Sequence, residues 1–245
     1  MNKPLEYLNN LNKVLNDIIE TQMPSIEKSA ESFAEALKSG NKIFLFGTGH
    51  SHMLAEELFY RAGGLVTIQP VLETALMLHE SASKSTEIER LEGYAEIIFD
   101  SYSMQKGDVI VIISNSGRNG VCVDMATLAK ERGLTVIALT NIRHSSSGAS
   151  RHKSGKRLFE IADIVLDNMG CIGDASIHFE EIGRNAAPTS TSAGAAILNA
   201  IVCGCIEVML NDGIMPEVFS SSNVDGGDEI NAAFIKKYKN EIRSL

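Results

Sequence analysis

The stretch "VIISNSGRNG", residues 111–120, decides the fold because it joins a buried strand to a polar loop and then to a helix. The apolar run 109–113 contains only valine and isoleucine, which is typical of a strand buried in a parallel sheet. The loop 114–119 then brings small hydroxyl and amide side chains, with no acidic or aromatic residue. A helix with apolar spacing follows over 119–132. The stretch therefore forms the first part of a β-α-β unit.

Strands and helices alternate in the same way along most of the chain. We predict strands in "KIFLF", "LVTIQP", "DVIVII", "TVIALT" and "IADIVLD", and helices over 5–38, 54–62, 87–105, 119–132 and 190–210. Strands that alternate with helices form parallel pairs through right-handed crossovers. The predicted fold class is α/β, a three-layer αβα sandwich with a mostly parallel, doubly wound sheet, plus N-terminal helices.

The length of 245 residues fits one large α/β domain with an added helical layer. The sequence has neither an internal repeat nor a composition typical of an interdomain linker. We therefore expect a single domain over 1–245. Its core would cover about 30–212, with N-terminal helices over 5–38 and a C-terminal extension over 213–245.

The charge balance excludes several classes of partner. The net charge is −9 and the isoelectric point is about 5.2, so a general nucleic-acid surface and an anionic membrane would repel the protein. A small anion is still compatible, because a local field can oppose the net charge. The four cysteines form no Cys-x-x-Cys pair, and the first 20 residues contain no long apolar run. We expect a cytoplasmic protein with reduced thiols, without a signal peptide or a membrane span.

Three loops of similar composition open three of the predicted helices. In a parallel sheet such loops lie outside the carboxyl ends of the strands, where ligands bind. A helix N-terminus offers unpaired N–H groups and partial positive charge, and small hydroxyls add further donors. Helix capping favours the same residue types, but capping needs one hydroxyl and each loop supplies several. We predict that a phosphate is bound by Gly49, His50, Ser51, Ser114, Asn115, Ser116, Asn119, Thr191 and Ser192.

Two kinds of nucleotide site fit the sequence less well. The dinucleotide fingerprint G-x-G-x-x-G would need glycine at position 52, where the chain has His52. No acidic residue suited to a ribose follows at the end of "LVTIQP". The phosphate loop G-x-x-x-x-G-K-[ST] is absent from the sequence. The cysteines also lack the spacing of a metal site.

The segments "GTGHS" (47–51), "SNSGRN" (114–119) and "PTSTS" (188–192), with "GLTVIALTN" after the middle one, together resemble the sugar isomerase (SIS) domain family. The flanks, among them "SSNVDGGDEIN", are similar to a bacterial subgroup of that family, and the phosphoheptose isomerases are a more distant likeness. The resemblance implies an SIS fold that binds a sugar phosphate, with Ser51, Ser114 and Ser116 at the phosphate. Asn119 stands where the family usually has Ser or Thr.

Aldose–ketose isomerisation needs a general base and an acid, and it requires neither a metal nor a redox cofactor. The candidate catalytic residues are Glu57, His79 and Glu80. Glu57 lies in E-L-x-x-R, as does the catalytic Glu of the phosphoheptose isomerases, although a surface ion pair with Arg61 is the simpler interpretation. The last predicted helix lacks the His that those enzymes use, and its interior polar residues include Asn199, which cannot exchange a proton.

The resemblance thus implies a phosphosugar-binding protein that isomerises a sugar phosphate without a cofactor. Two alternatives stay open, a non-catalytic phosphosugar sensor and a phosphosugar enzyme of the deaminase or etherase type. The resemblance also implies a homodimer or homotetramer, with no nucleic-acid or membrane partner. The loop 141–157 holds five Lys or Arg, two His and no acid, so it could draw anions inward; a solvated basic loop is the other interpretation.

Overall fold

The computed structural model of the protein describes residues 2–245. Five strands form its central sheet: β1 Ile43–Gly47, β2 Ile68–Val71, β3 Val109–Ile113, β4 Thr135–Thr140 and β5 Ile164–Asp167. They lie in the order β2-β1-β3-β4-β5, and every neighbouring pair is parallel. A separate antiparallel hairpin is made by β6 Ala175–Phe179 and β7 Arg184–Pro188.

Helices cover both faces of the sheet. The α-helices of the described chain are α1 Lys3–Thr21, α2 Met23–Lys38, α3 Met53–Leu58, α4 Ala82–Ile88, α5 Tyr94–Ser101, α6 Gly120–Glu131, α7 Ile142–Ser146, α8 Ser190–Asn211 and α9 Gly227–Tyr238. The helices α1, α2, α3 and α8 pack on one face, and α5 and α6 pack on the other. This arrangement confirms the predicted three-layer αβα sandwich with N-terminal helices.

The central strands are mostly apolar because their side chains alternate between two cores. In β3, Val109, Val111 and Ile113 belong to the core that α2 and α8 complete. Ile110 and Ile112 belong to the core that α5 and α6 complete. Each of these side chains is almost fully buried, and such burial stabilises the fold by about 1.5–3 kcal/mol per side chain. The continuous β-branched run in the sequence follows from this double burial.

Three of the differences between the predicted and observed elements have a local cause in the backbone or in its pairing. The helix predicted over 87–105 is two helices, because Gly93 has φ +83° and turns the chain between α4 and α5. The strand predicted over 65–70 begins only at 68, because Leu65 pairs antiparallel with Val218 of the C-terminal segment. Helix α3 ends at 58 rather than at 62, and Tyr60 beyond it has φ +47°, outside the helical region.

Helix α8 is the central helix of one face. It is long and apolar enough to cross a membrane by length and composition, with a mean hydropathy of 2.0 over its most apolar window. It packs instead against α1, α2 and α3, and 44% of that window is buried inside the protein. Gly194 permits the close approach to α3, since a Cβ there would lie 2.5 Å from Leu54 Cδ1. We therefore assign α8 as a core helix.

The end of β1 sets the shape of the first polar loop. Gly47 is the last residue of β1, and a Cβ on it would lie 2.6 Å from the carbonyl carbon and oxygen of Ser51. The same Cβ would lie 2.9 Å from the backbone nitrogen of His52. The chain therefore folds back over the strand end in a 3-10 turn over Gly49–His52, and only glycine leaves room for it.

We expect Gly47→Ala to displace this turn and to lower the free energy of unfolding by about 1–3 kcal/mol, because the clash is with backbone and not with a flexible side chain. Urea unfolding measures the loss, and hydrogen–deuterium exchange should be faster at 48–52. Ser39→Ala is the control, since this exposed residue lies before β1 and its hydroxyl makes no hydrogen bond within residues 2–245. Unchanged exchange at 48–52 in Gly47→Ala would contradict the prediction.

Candidate functional site

The carboxyl edge of the sheet contains a topological switch point between β1 and β3. From β1 the chain continues to β2 on one side, whereas β3 continues to β4 on the other. In such sheets the crevice outside the strand ends, at this point, is where ligands bind. The pairing of Gly47 with Ile113 places the ends of the two strands side by side. The loops 48–52 and 114–119 therefore leave the sheet as neighbours.

A small cleft at this point brings the three predicted loops together. It is lined by His50 and Ser51 of the first loop, Asn115 of the second, and Ser190 and Thr191 of the third. The floor is made of Leu54, Ile113, Leu139 and Asn168. The enclosed volume is about 30 Å³, comparable to one water molecule. The cleft can therefore take one small polar group, while the rest of a larger ligand would lie outside it.

The other predicted phosphate residues lie beside the cleft. The Ser114 hydroxyl is buried and accepts a hydrogen bond from Gly117 N at 3.1 Å, so it shapes the loop. Ser116 is partly buried, and its N–H and hydroxyl have no hydrogen-bond partner within residues 2–245. Gly49 has φ +56° inside the first turn, and Ser192 is exposed on α8. In the second loop, Ser116 therefore has an N–H and a hydroxyl that remain free for a ligand.

A chain of buried amides holds the ends of three strands in place. Asn168 Nδ2 donates to Asn115 Oδ1 at 2.8 Å, and Asn141 Nδ2 donates to Asn168 Oδ1 at 2.8 Å. Asn168 Oδ1 also accepts from Gly170 N at 3.0 Å. Asn141 Oδ1 accepts from His144 N at 2.7 Å. Satisfied buried networks of this kind are rigid, so the second loop is held in a fixed position relative to β4 and β5.

Glu89 connects the first two loops through hydrogen bonds. No pattern in the sequence around Glu89 predicts this role. Thr48 Oγ1 donates to Glu89 Oε2 at 2.8 Å, and Asn119 Nδ2 donates to Glu89 Oε1 at 2.9 Å. The Glu89 carbonyl also accepts from Val121 N at 3.2 Å, in the first turn of α6. Asn119 is thus committed to protein groups on both sides, because its Oδ1 accepts from Arg151 Nη1 at 3.1 Å.

An internal carboxylate occupies the N-terminus of α8. Asp174 Oδ1 accepts from Thr189 N at 3.1 Å and from Ser190 N at 3.0 Å, and Asp174 Oδ2 accepts from the Ser190 hydroxyl at 2.5 Å. Asp174 adopts φ +68°, which is unusual for a residue other than glycine. The positive end of the α8 dipole stabilises the negative charge of the Asp174 carboxylate. Only the later donors, at Thr191 and Ser192, are left for a ligand at the third loop.

The candidate catalytic residues do not meet in one place. Glu57 is partly buried between α3 and α8, where its Oε1 accepts from Asn199 Nδ2 at 3.1 Å and also contacts Arg61 Nη1. The expected pair with Arg61 is therefore present. His79 and Glu80 are exposed. The Lys84 ammonium, 2.9 Å away, lowers the pKa of Glu80, which makes that carboxylate a weaker base.

Glu57 lies about one helical turn beyond the cleft residue Leu54 on α3. It follows Ser51 by six residues, which corresponds to about 9 Å along a helix. Asn199 follows Thr191 by eight residues on α8, or about 12 Å. Within residues 2–245, no three or more His, Cys, Asp or Glu side chains are grouped so as to hold a metal ion. The site offers hydroxyls, amides and carboxylates.

Comparison with known sequences gives long matches. A family model described as SIS domain matches residues 6–141. A UPF0309 protein from Caldanaerobacter subterraneus is 45% identical over 242 residues, which cover 98% of this chain and 98% of that protein. A UPF0309 protein from Halalkalibacterium halodurans is 42% identical over 239 residues, which cover 98% of this chain and 96% of that protein.

Solved structures resemble the protein in fold. A phosphoheptose isomerase from Francisella tularensis superposes with a TM-score of 0.57 at 15% identity, over 84% of this chain and 97% of that one. The sugar isomerase domain of an RpiR transcription factor from Sphaerobacter thermophilus gives a TM-score of 0.52 at 17% identity, over 98% and 99% of the two chains. At these identities the likeness concerns the fold alone.

We expect Asp174→Ala to lower the free energy of unfolding by about 0.5–2 kcal/mol, because two N–H groups and one hydroxyl at the α8 N-terminus lose their acceptor. Urea unfolding at neutral pH measures the change. Asp174→Asn keeps an acceptor oxygen without the charge, so its loss should be smaller. Asp225→Ala, at an exposed residue, is the control. Equal stability of Asp174→Ala and the control would contradict the assigned cap.

Proposed function

We propose, from the premise that this chain belongs to the SIS domain family, that it binds a phosphorylated sugar at the cleft between β1 and β3 and isomerises it. The observation that supports this proposal is the meeting of three hydroxyl-rich, helix-opening loops in one cleft. Donors from three directions fit the tetrahedral oxygens of a phosphate ester better than they fit a planar or apolar group. The protein would be a sugar-phosphate isomerase that works with its own side chains as acid and base.

The phosphate contacts follow from the donors that remain free. Ser51 and Thr191 line the cleft, and the Ser116 N–H and hydroxyl lack partners within residues 2–245. Asn115 lines the cleft but is held by Asn168, so it fixes the position of the loop. Gly49, His50, Ser114, Asn119 and Ser192 complete the three loops around the phosphate. Because the cleft is small, the sugar lies outside it.

The sugar would extend along α3 and α8, with its reacting carbons near Glu57. The spacing of about 9 Å along the helix from Ser51 to Glu57 matches the length of a sugar phosphate chain in order of magnitude. Glu57 is our proposed general base, since Asn199 orients its carboxylate. His79 and Glu80 are exposed and would approach the ligand only from outside the cleft.

The protein would act in the cytoplasm as a single-domain homodimer or homotetramer. Helix α1 carries the exposed apolar side chains Leu5, Leu8 and Ile19, and α8 adds exposed Leu210. Exposed apolar side chains on two helices of one layer are typical of an interface between protein chains. The C-terminal extension belongs to the same domain, because Phe219 N donates to Gly64 O at 3.0 Å and Gly63 N donates to Phe219 O at 2.8 Å.

We expect Ser116→Ala to weaken binding of hexose, heptose or amino-sugar phosphates by about three- to tenfold, because one free hydroxyl donor is lost. Isothermal titration calorimetry with each sugar phosphate measures the affinity, and thermal unfolding checks that the fold is intact. Ser39→Ala is the matched control, at an exposed serine at the opposite end of the sheet. An affinity equal to that of the control would count against the phosphate site.

We expect Glu57→Gln to reduce isomerisation by at least about 100-fold while leaving binding nearly unchanged, because the amide cannot take a proton. Proton NMR in deuterated water follows solvent exchange at the sugar carbon. Glu56→Gln, at the exposed neighbouring residue, is the control and should keep its activity. Full exchange in Glu57→Gln would remove Glu57 as the base.

A non-catalytic phosphosugar sensor is the second candidate function. The observation that favours it is the pairing of Glu57 with Asn199 of α8. The amide of Asn199 does not titrate, so this pair provides a base without a second group to act as the acid. The same NMR experiment separates the two functions. Tight binding by the unaltered protein, without exchange or product for any sugar phosphate, would favour the sensor. An amino-sugar deaminase or an etherase would instead release ammonia or a cleaved ether product.

A further inference from the structure

Three arginines lie in or beside the second loop. Arg118 belongs to the loop itself, and Arg151 comes from the basic loop 141–157. Arg90 follows Glu89, the carboxylate that connects the first two loops. We call Arg90, Arg118 and Arg151 the arginine group. None of them is used by the phosphate contacts described above.

Backbone and side-chain contacts hold the arginine group in place. Arg151 N donates to Arg118 O at 2.9 Å, and Arg151 Nη1 donates to Asn119 Oδ1 at 3.1 Å. Arg118 Nη1 rests against Gly148, where a Cβ would lie only 2.6 Å away. The Arg90 carbonyl oxygen lies against Gly120, the first residue of α6. A Cβ added to Gly120 would lie only 2.8 Å from that oxygen. Arg118 and Arg151 are thus held beside the start of α6, and the backbone of Arg90 lies against the same end of that helix.

The arginine group carries more positive charge than its surroundings neutralise. None of its members has a carboxylate within 4 Å in residues 2–245. Among the neighbouring acids, Glu92 forms an ion pair with Lys153, and Asp124 is hydrogen-bonded to His152. The nearby carboxylate of Glu89 bonds to Thr48 and Asn119, which are neutral, so it keeps its negative charge. Partial burial, followed by the Arg118 and Arg90 guanidiniums, lowers the pKa of Arg151, and the charge of Glu89 acts to raise it. The three guanidiniums therefore outnumber the nearby carboxylates of Glu89 and Asp124, and no guanidinium among them forms a direct ion pair within the described chain.

Holding like charges together costs free energy, and an anion that binds among them recovers it. Guanidinium groups match carboxylate and phosphate oxygens in pairs of parallel hydrogen bonds. The arginine group is also close to the cleft. Arg118 follows the cleft residue Asn115 by three positions, which limits the separation of their backbones to about 10 Å.

We propose that the arginine group binds a second anionic group of the ligand, so that the ligand is a sugar phosphate that carries an additional phosphate ester or carboxylate. This inference rests on the proposed function, because it places the first phosphate in the cleft. One anion lies among the hydroxyl donors, and the other lies among the guanidiniums on the far side of the second loop. The excess positive charge in an acidic protein is explained by this second contact.

Calorimetric titration of matched probes tests the proposal. The probes are fructose 6-phosphate, fructose 1,6-bisphosphate and 6-phosphogluconate. We expect at least one of the two doubly anionic probes to bind about tenfold or more tightly than fructose 6-phosphate, the gain typical of one charge-assisted pair. Arg118→Gln and Arg151→Gln should abolish this gain while keeping fructose 6-phosphate within about twofold. Lys156→Gln is the control, with the same charge change at an exposed position of the same loop.

Each other result overturns the inference in a distinct way. Equal affinity for all three probes in the unaltered protein would remove the second anion site and leave the phosphate site intact. An equal loss for all three probes in Arg118→Gln would show that the arginines hold the first phosphate. A gain that persists in both arginine variants would place the second anion elsewhere. Absence of binding by all three probes and by inorganic phosphate would overturn the proposed function and this inference together.

Discussion

The parallel pairing of β1 with β3 is the constraint on which the rest of the site depends. Neighbouring strands lie about 4.8 Å apart, so the pairing of Gly47 with Ile113 makes two loops from distant parts of the chain direct neighbours. The absence of a side chain at position 47 lets the first loop fold back over the strand end. Helix α8 then brings the third loop to the same edge, because Gly194 allows it to approach α3 closely.

Two carboxylates stabilise this edge in the absence of a ligand. Glu89 accepts hydrogen bonds from the first and second loops, and Asp174 accepts three from the start of the third. Glu89 accepts from side-chain donors of the two loops, and Asp174 accepts from N–H groups at the N-terminus of α8. Without these carboxylates, the same donors would be available to an external anion. The loops are therefore already folded, so little ordering entropy has to be supplied when a ligand binds. Under the proposed function, a phosphate would bind at the donors that stay free, among them those of Ser116.

The sequence predicts what depends on local pattern and misses what depends on long-range contact. Strand β4 has the predicted bounds, Thr135–Thr140, because an apolar β-branched run between turns has few other interpretations. The hairpin β6–β7 was not predicted, since its strands are short and largely exposed. Glu89 and Asp174 were not predicted either. Their roles come from partners 41 residues away at Thr48 and 15 away at Thr189, and no local pattern marks such pairs.

Under the proposed function, isomerisation requires a second proton-transferring group besides Glu57, the proposed base. Asn199 contacts Glu57 at 3.1 Å, but an amide does not ionise near neutral pH, so Asn199 can orient the carboxylate and cannot share its role. His79 is exposed, and its ring centroid lies 6.5 Å from that of the buried His52. Glu89 is the carboxylate that contacts both the first and the second loop, and its hydrogen bonds to Thr48 and Asn119 fix its position. Turnover by a single chain would therefore have to combine Glu57 with His79 or Glu89. The other way to supply the acid is a residue from a neighbouring chain that completes the site.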